Sequence, residues 1–152
     1  MSKAFGMAGL RVGWIACQNQ SMLHKIKRMK DYASICNSAP SEILSLITLH
    51  NKHYFLDRNN QIVAHNLALL EQFFLQNPDK FQWVKPQGGC VGFVNYLTDE
   101  SVDSFCEKLV KEHGILLMPA SVYDYPCNHF RIGFGRRNMP QVLDLFKAVI
   151  SS

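Results

Sequence analysis

The sequence lacks the features that mark several classes of protein. Its five cysteines are odd in number and widely spaced, and they contain no Cys-x-x-Cys pair, which argues against a disulfide scaffold and a zinc site. No apolar segment approaches the roughly 20 residues that a transmembrane helix needs, and the N-terminus has no basic segment followed by an apolar core. We therefore predict a cytoplasmic protein that holds no metal and has no membrane partner.

The chain also has a small net charge and lacks long blocks of like charge. The net charge is +4 over 152 residues, and no block of five or more like charges occurs, so a nucleic-acid partner gains no support. Apolar residues make up 47% of the chain, which is typical of a globular protein with a buried core. The functional signals therefore have to come from short motifs.

What the chain does have is a lysine near its start, followed by glycines and an arginine. Gly6 and Gly9 follow Lys3, and Arg11 stands eight residues after the lysine. The two glycines would let the connecting loop turn tightly. The apolar run 12–17 comes next and predicts a buried strand.

This spacing suits an aldehyde that carries a phosphate. A lysine amine attacks an aldehyde only when its charge is suppressed, and a nearby guanidinium such as that of Arg11 disfavours the ammonium form. The planar guanidinium also matches two phosphate oxygens at once. The alternative is that Lys3 faces solvent and that Arg11 pairs with a carboxylate of the protein.

A second arginine lies inside a predicted strand. Arg131 stands between Phe130 and Ile132, and burying a guanidinium is costly unless an anion answers its charge. The anion is either a bound ligand or an internal carboxylate, for which Asp124 and Asp144 are the candidates.

Helical and strand patterns divide the chain into two parts. Apolar residues at helical spacing predict five helices, over 21–32, 40–49, 53–76, 100–113 and 139–150. Short apolar runs predict four further strands, over 81–84, 90–96, 115–118 and 129–134. The helix over 40–49 is apolar on most of its surface, so we expect it to be deeply buried. We place the domain boundary in the long third helix, which gives one domain over 1–60 and another over 61–152.

The motif at the start of the chain resembles that of a known family. Six residues carry the resemblance to the lysine motif of pyridoxal-phosphate enzymes in the class I and II aminotransferase family, fold type I: Ser2, Lys3, Gly9, Arg11, Gly13 and Trp14. The resemblance implies pyridoxal 5'-phosphate as cofactor, with Lys3 holding its aldehyde, Arg11 binding its phosphate, and Ser2 among the cofactor-binding residues. It also implies that Arg131 forms a bidentate pair with the α-carboxylate of an amino-acid substrate.

Further segments extend the resemblance. Residues 86–89 resemble the family's Pro-x-Gly-Gly turn, and residues 113–121 resemble its Gly-aliphatic-Pro-Gly-Ser stretch, with Ala120 where glycine is more usual. Residues 31–38 resemble the segment that approaches the neighbouring subunit's active site in family dimers. The resemblance therefore implies a homodimer and adds three candidate site residues, each of which could equally be a helix end or cap: Tyr32, Asn37 and Ser38.

The resemblance covers essentially the whole chain but only the C-terminal portion of a family member. It implies an α/β fold in which residues 1–60 are the C-terminal remainder of the large cofactor domain, a strand plus helices, joined by the long helix to a small α/β C-terminal domain. We expect a fragment that binds the cofactor weakly by itself and does not turn over.

The resemblance also leaves the reaction of the parent enzyme with alternatives. It implies transfer of an amino group between an amino acid and a 2-oxo acid. Another fold type I reaction, by a synthase, decarboxylase or lyase, uses the same lysine and arginines. The remaining alternative is an inactive folded fragment that acts only as an association module.

Overall fold

The computed structural model describes residues 1–151. Five α-helices occur among them: α1 Gln20–Ala33, α2 Ala39–His50, α3 Lys52–Leu75, α4 Val102–His113 and α5 Met139–Ser151. Four strands in the same range form one sheet: β1 Phe81–Trp83, β2 Val91–Tyr96, β3 Met118–Pro119 and β4 His129–Gly133. Contacts between residues divide the chain into two compact units, and the division falls between Asn59 and Asn60, inside α3.

The first unit is helical. The amide oxygen of Asn19 caps α1 by accepting the Met22 N–H at 3.0 Å. Pro40 lies in the first turn of α2, where its missing N–H costs no helical hydrogen bond. The helices predicted over 21–32 and 40–49 are confirmed, with each end shifted by one residue.

The strand predicted over 12–17 is wrong. These residues form no regular structure, and both Trp14 and Ile15 are exposed. A strand needs a neighbouring strand to pair with its N–H and C=O groups, and the described residues of the first unit contain none. An apolar run cannot reveal this, because it carries no information about whether a partner strand is present.

The deep burial predicted for the helix over 40–49 is also wrong. Its five large apolar side chains are exposed by fractions of 38% to 58%: Ile43, Leu44, Leu46, Ile47 and Leu49. The buried side of α2 is polar instead, since Ser45 and Thr48 are buried and donate their hydroxyls to carbonyl oxygens four residues earlier at 2.7 Å. An apolar helix face is buried only where a second layer covers it, and among residues 1–151 the apolar face of α2 stays uncovered.

The second unit is built on an antiparallel sheet with the strand order β1-β2-β4-β3. Val94 of β2 pairs with Trp83 of β1 on one side and with Phe130 of β4 on the other. Arg131, the next residue of β4, pairs with Phe93 of β2. Because successive residues of a strand face opposite sides, Phe130 and Arg131 lie on opposite faces of the sheet.

Three helices cover one face of the sheet. The core contains Phe73 of α3, Phe105 of α4 and Phe146 of α5, which pack against Phe81 and Phe130 of the sheet. Contacting rings in this group have centroids 5.2 to 6.5 Å apart in tilted and edge-to-face pairs, the arrangements that aromatic quadrupoles favour. This packing fixes β4 and therefore the backbone of Arg131.

Local sequence sets the ends of α4. Ser101 Oγ accepts the Ser104 N–H at 3.2 Å at the start of the helix, and Gly114 closes it with φ of +67°. The Ile115 N–H donates back to the carbonyl oxygen of Leu109 at 3.0 Å. The strand predicted over 115–118 is therefore displaced, because this cap uses the first of its backbone groups and β3 begins only at Met118.

The α/β class predicted from the sequence is confirmed, and the helices predicted over 53–76, 100–113 and 139–150 are present. The long helix α3 runs across the division between the two units. The assignment of 1–60 to the remainder of a large cofactor domain and of 61–152 to a small domain stays a prediction. None of the helices in residues 1–151 combines the length and the apolar character needed to cross a membrane.

Candidate active site

The residues around Lys3 fold into a compact turn. The Gly6 N–H donates to the Lys3 carbonyl oxygen at 3.2 Å, and the Met7 N–H donates to that of Met1 at 3.3 Å. Gly6 has φ of +68°, a backbone conformation that glycine adopts without steric cost. The chain therefore reverses its direction directly after the lysine.

Asn59 of α3 fastens this turn. Its Nδ2 donates to the Ala4 carbonyl oxygen at 2.9 Å, and its Oδ1 accepts from Arg58 Nη1 at 2.8 Å. A Cβ atom on Gly6 would lie 3.2 Å from Asn59 Nδ2, so position 6 has little room for a side chain. Sequence reasoning missed Asn59 because no local pattern connects residues that are 55 positions apart.

Arg11 follows a 3-10 turn formed by Ala8–Leu10. Its backbone N–H and its Nη1 both donate to the Ala8 carbonyl oxygen, at 3.4 and 3.0 Å. Its φ of +54° is unusual for a residue with a side chain and costs on the order of 1 kcal/mol. The side chain is exposed, and no carboxylate of residues 1–151 forms an ion pair with it, so the alternative of an internal partner is not realised.

Lys3 is likewise exposed and has no ion pair within residues 1–151. The space beside Gly9 and Gly13 is open, since a Cβ atom on either would meet no atom within 4 Å. Ser2, next to the lysine, is half-buried. An amine, a guanidinium and open glycine backbone on one short segment fit a ligand that carries an aldehyde and a phosphate.

Three other candidate residues lie at helix ends. Tyr32 near the end of α1 is 91% exposed. Asn37 Nδ2 donates to Glu42 Oε1 at 2.9 Å across the start of α2, and Ser38 is the N-cap residue of the same helix. Their positions agree with the alternative of helix ends and caps, and a role toward a neighbouring subunit stays a prediction.

Arg131 lies on the open face of the sheet. Its position inside a strand is as predicted, but the burial that the prediction assumed is wrong, because the residues on either side of it take the core face of β4. Its Nη1 donates to Tyr123 Oη at 2.8 Å. Neither Asp124 nor Asp144 forms an ion pair with it in the described structure.

Aromatic side chains surround this arginine. A hollow of about 390 Å³ on the open face is lined by six residues: Val91, Gly92, Phe93, Tyr123, Tyr125 and Arg131. Phe93 stacks on His129 with ring centroids 5.0 Å apart and meets Tyr125 edge-on at 5.5 Å. The hollow therefore combines apolar rings with one exposed guanidinium.

Sequence reasoning missed Phe93, Tyr123 and Tyr125. The alternation along β2 and β4 places Phe93 and Arg131 on one face, but only once the register between the strands is known. Tyr123 ends a short 3-10 turn and Tyr125 follows it, in a connection between β3 and β4 that is too short to give a periodic signal.

The candidate residues fall in both units, with Lys3 and Arg11 in the first and Arg131 in the second. All three are cations without a carboxylate partner in the described part of the chain. Within residues 1–151, no group of three or more histidine, cysteine or acidic residues is placed to hold a metal ion. The three candidate side chains offer one amine and two guanidiniums.

Comparison with known proteins gives a consistent result. The sequence matches the family described as aminotransferase class I and II over residues 1–147. It is 26% identical over 134 residues to capreomycidine synthase of Streptomyces vinaceus, a match that covers 88% of this chain and 34% of that protein. It is 27% identical over 137 residues to the L-aspartate:5-guanidino-3-methyl-2-oxopentanoate transaminase of Pseudomonas syringae pv. syringae, which covers 89% and 34%.

A solved structure agrees with these sequence matches. The PLP-dependent aminotransferase from Streptococcus suis 89-1591 is similar with a TM-score of 0.88 at 27% identity, over 97% of this chain and 39% of that chain. The chain spans about a third of the length of the curated relatives that it matches.

Proposed function

The chain belongs to the family of class I and II aminotransferases, and on that premise we propose that it supplies three cationic residues of a pyridoxal-phosphate enzyme. Lys3 holds the aldehyde of the cofactor, Arg11 binds its phosphate, and Arg131 binds the α-carboxylate of the substrate. The observation that carries the proposal is that none of the three charged side chains has a carboxylate partner in residues 1–151.

Lys3 and Arg11, the two candidate residues of the first unit, have distinct roles. Pyridoxal phosphate, when bound, supplies a conjugated ring that takes up electrons from the substrate α-carbon. The Lys3 amine, once it has lost its proton, would hold the aldehyde as a nucleophile, and when released it would move the proton at the substrate α-carbon as general base and acid. Arg11 would neutralise the phosphate, and the hydrogen bond from its Nη1 to the Ala8 carbonyl oxygen restricts the guanidinium before the phosphate arrives.

Arg131 orients the substrate. Two parallel N–H groups of a guanidinium meet the two oxygens of a carboxylate, which fixes the plane of the carboxylate as well as its position. A substrate that is held in this way presents its α-carbon in one orientation, and correct orientation accounts for a large share of rate enhancement.

For the enzyme that contains this chain we propose amino transfer between an amino acid and a 2-oxo acid, carried out by a homodimer. The family and the 27% identity to a transaminase support this reaction. A synthase reaction is the second candidate, supported by the 26% identity to capreomycidine synthase. The two reactions can be separated by assaying an enzyme of full family length that contains this chain, with an amino donor and a 2-oxo acid acceptor. A new 2-oxo acid from the donor supports transamination, and consumption of the amino acid without one supports the synthase.

Cofactor binding by the chain itself tests the role of Lys3. We expect pyridoxal phosphate to give a weak but saturable change in visible absorbance, because the chain covers only part of the family length. Lys3→Ala should abolish this change. Lys25→Ala, which removes an exposed lysine of α1, should leave it intact. Equal changes in both variants would contradict the assignment of Lys3.

A further inference from the structure

We propose that Tyr123 is a positioning residue for Arg131, and that its phenolic oxygen holds one side of the guanidinium so that the rest faces the substrate carboxylate in a fixed orientation. The inference rests on the proposed role of Arg131 and adds to it a residue that does not touch the reacting atoms.

The contact has the chemistry that this role requires. Arg131 Nη1 donates to Tyr123 Oη at 2.8 Å, and residues 1–151 offer its side chain no other hydrogen-bond partner. A guanidinium has five N–H donors, so most of them remain available. The phenol is a neutral acceptor, so it orients the guanidinium without cancelling the charge that attracts a carboxylate. An internal carboxylate in the same place would have cancelled that charge.

The backbone turn that carries Tyr123 is held firmly, and the tyrosine ring itself is 46% exposed. Tyr123 ends a 3-10 turn whose first residue, Ala120, is completely buried. The next residue, Asp124, adopts a left-handed conformation with φ of +53°, and its N–H donates to the Ser121 carbonyl oxygen at 3.1 Å. The hydroxyl of Ser121 donates to the carboxylate of Asp103 on α4. Three contacts therefore fix the turn: burial of its first residue, a hydrogen bond that closes its end, and a hydrogen bond to α4.

The backbone of Arg131 is equally fixed, because it pairs with Phe93 on one side and with Met118 on the other. The long side chain between this backbone and the guanidinium is the remaining source of disorder, and ordering it on binding carries an entropic cost. A hydrogen bond from a rigid turn reduces that cost before the substrate arrives. Tyr123 therefore raises affinity by preorganisation and leaves the charge of the site unchanged.

Rotation of the guanidinium tests the contact without any ligand. We expect the side-chain N–H signals of Arg131 in NMR spectra of the chain to show slow rotation about the Nε–Cζ bond. Tyr123→Phe should make this rotation fast. Tyr125→Phe is the matched control, since Tyr125 lines the same hollow but its hydroxyl has no hydrogen-bond partner within residues 1–151. Equal rotation rates in the two variants would overturn the proposal.

Titration with pyruvate, a small 2-oxo acid, tests the consequence. We expect Tyr123→Phe to weaken pyruvate binding about 3- to 10-fold, in the range of one ordinary protein hydrogen bond, with an unchanged thermal unfolding midpoint. Tyr54→Phe, at a ring that is 68% exposed and lies outside the hollow, should bind like the unmodified chain. Unchanged affinity in Tyr123→Phe would overturn the inference. If instead Arg131→Gln binds pyruvate as well as the unmodified chain, the carboxylate role in the proposed function fails, and the rotation measurement still decides whether Tyr123 orders Arg131.

Discussion

Asn128 illustrates how one side chain satisfies backbone groups that lie outside regular structure. Its Nδ2 donates to the carbonyl oxygens of Tyr96 and Glu100 at 3.0 Å, and its Oδ1 accepts the Val102 N–H at 2.6 Å. It thereby connects the end of β2 with the start of α4. Unsatisfied backbone groups of this kind are costly when they are shielded from water.

Replacing Asn128 with alanine should therefore destabilise the chain by about 2–3 kcal/mol, because several backbone groups lose their partner at once. Urea unfolding measures the change. Asn138→Ala is the matched control, since Asn138 is exposed and its side chain has no hydrogen bond within residues 1–151; it should change stability by less than about 0.5 kcal/mol. Similar losses in both variants would show that Asn128 has no special role.

The buried thiol of Cys106 should make the stability of the chain fall at alkaline pH. Burial in the core raises the pKa of its thiol to about 11, and the charge of Asp103 adds to the rise. The folded state thus favours the neutral thiol. This contribution to stability is complete below the thiol's ordinary pKa of about 9 and is lost as the pH rises toward about 11.

Thermal unfolding between pH 8 and pH 11 should therefore show a shallower decline for Cys106→Ala than for the unmodified chain. Cys127→Ala, at an exposed position, should follow the unmodified chain. Parallel curves for all three proteins would contradict the effect of burial on the thiol.

At the scale of the elements, the Trp83 ring of β1 lies directly over Gly92 of β2. A Cβ atom on Gly92 would overlap the Trp83 ring, at 2.5 Å from its Cζ3, and Trp83 stacks on Phe74 of α3 with ring centroids 4.8 Å apart. The indole cannot move away without losing this contact with the helix. Gly92 is therefore required by the contact between the sheet and α3.

Gly92→Ala should destabilise the second unit by about 1–3 kcal/mol through overpacking. Gly133→Ala on β4 is the control, because a Cβ atom there would meet nothing within 4 Å. Denaturant unfolding followed by tryptophan fluorescence measures both. An equal tolerance of the two substitutions would mean that Trp83 can shift at little cost.

The sequence predicted those elements whose signals are local. The start and end of α4 are encoded by Ser101 and Gly114, and both positions behave as their side chains require. The strand over 12–17 was wrong because a strand depends on a partner that the local pattern does not contain. The burial of α2 was wrong for a related reason, since an apolar surface predicts a need for cover but not its presence.

In the candidate site, too, the residues with a local signal were predictable and those that depend on distant contacts were not. Lys3, Arg11 and Arg131 stand out as charged residues within glycine-rich or apolar sequence. Asn59 and Tyr123 could not be predicted from local sequence. Asn59 acts through a contact across 55 positions, and Tyr123 contacts Arg131 from a short connection without a periodic pattern.

At the scale of the whole molecule, the apolar face of α2 predicts association. Large exposed apolar patches drive proteins to associate, and Ile47 at the centre of this face is 51% exposed. We expect sedimentation of the chain to show concentration-dependent association that Ile47→Lys weakens. Leu145→Lys on α5, where the original side chain is 57% exposed, should have little effect. A chain that sediments as a monomer at every concentration would contradict this expectation.

If Lys3 and Arg11 act as a pair on one ligand, as proposed, reductive trapping with borohydride should reveal it. The rate of labelling at Lys3 is compared for pyridoxal phosphate and for pyridoxal, which lacks the phosphate, by peptide mapping. We expect Lys3 to be labelled faster by the phosphorylated compound, and we expect Arg11→Gln to remove this preference and Arg28→Gln on α1 to retain it. Labelling of Lys3 no faster than that of Lys25, or a preference that survives Arg11→Gln, would contradict the proposed pairing of Lys3 with Arg11.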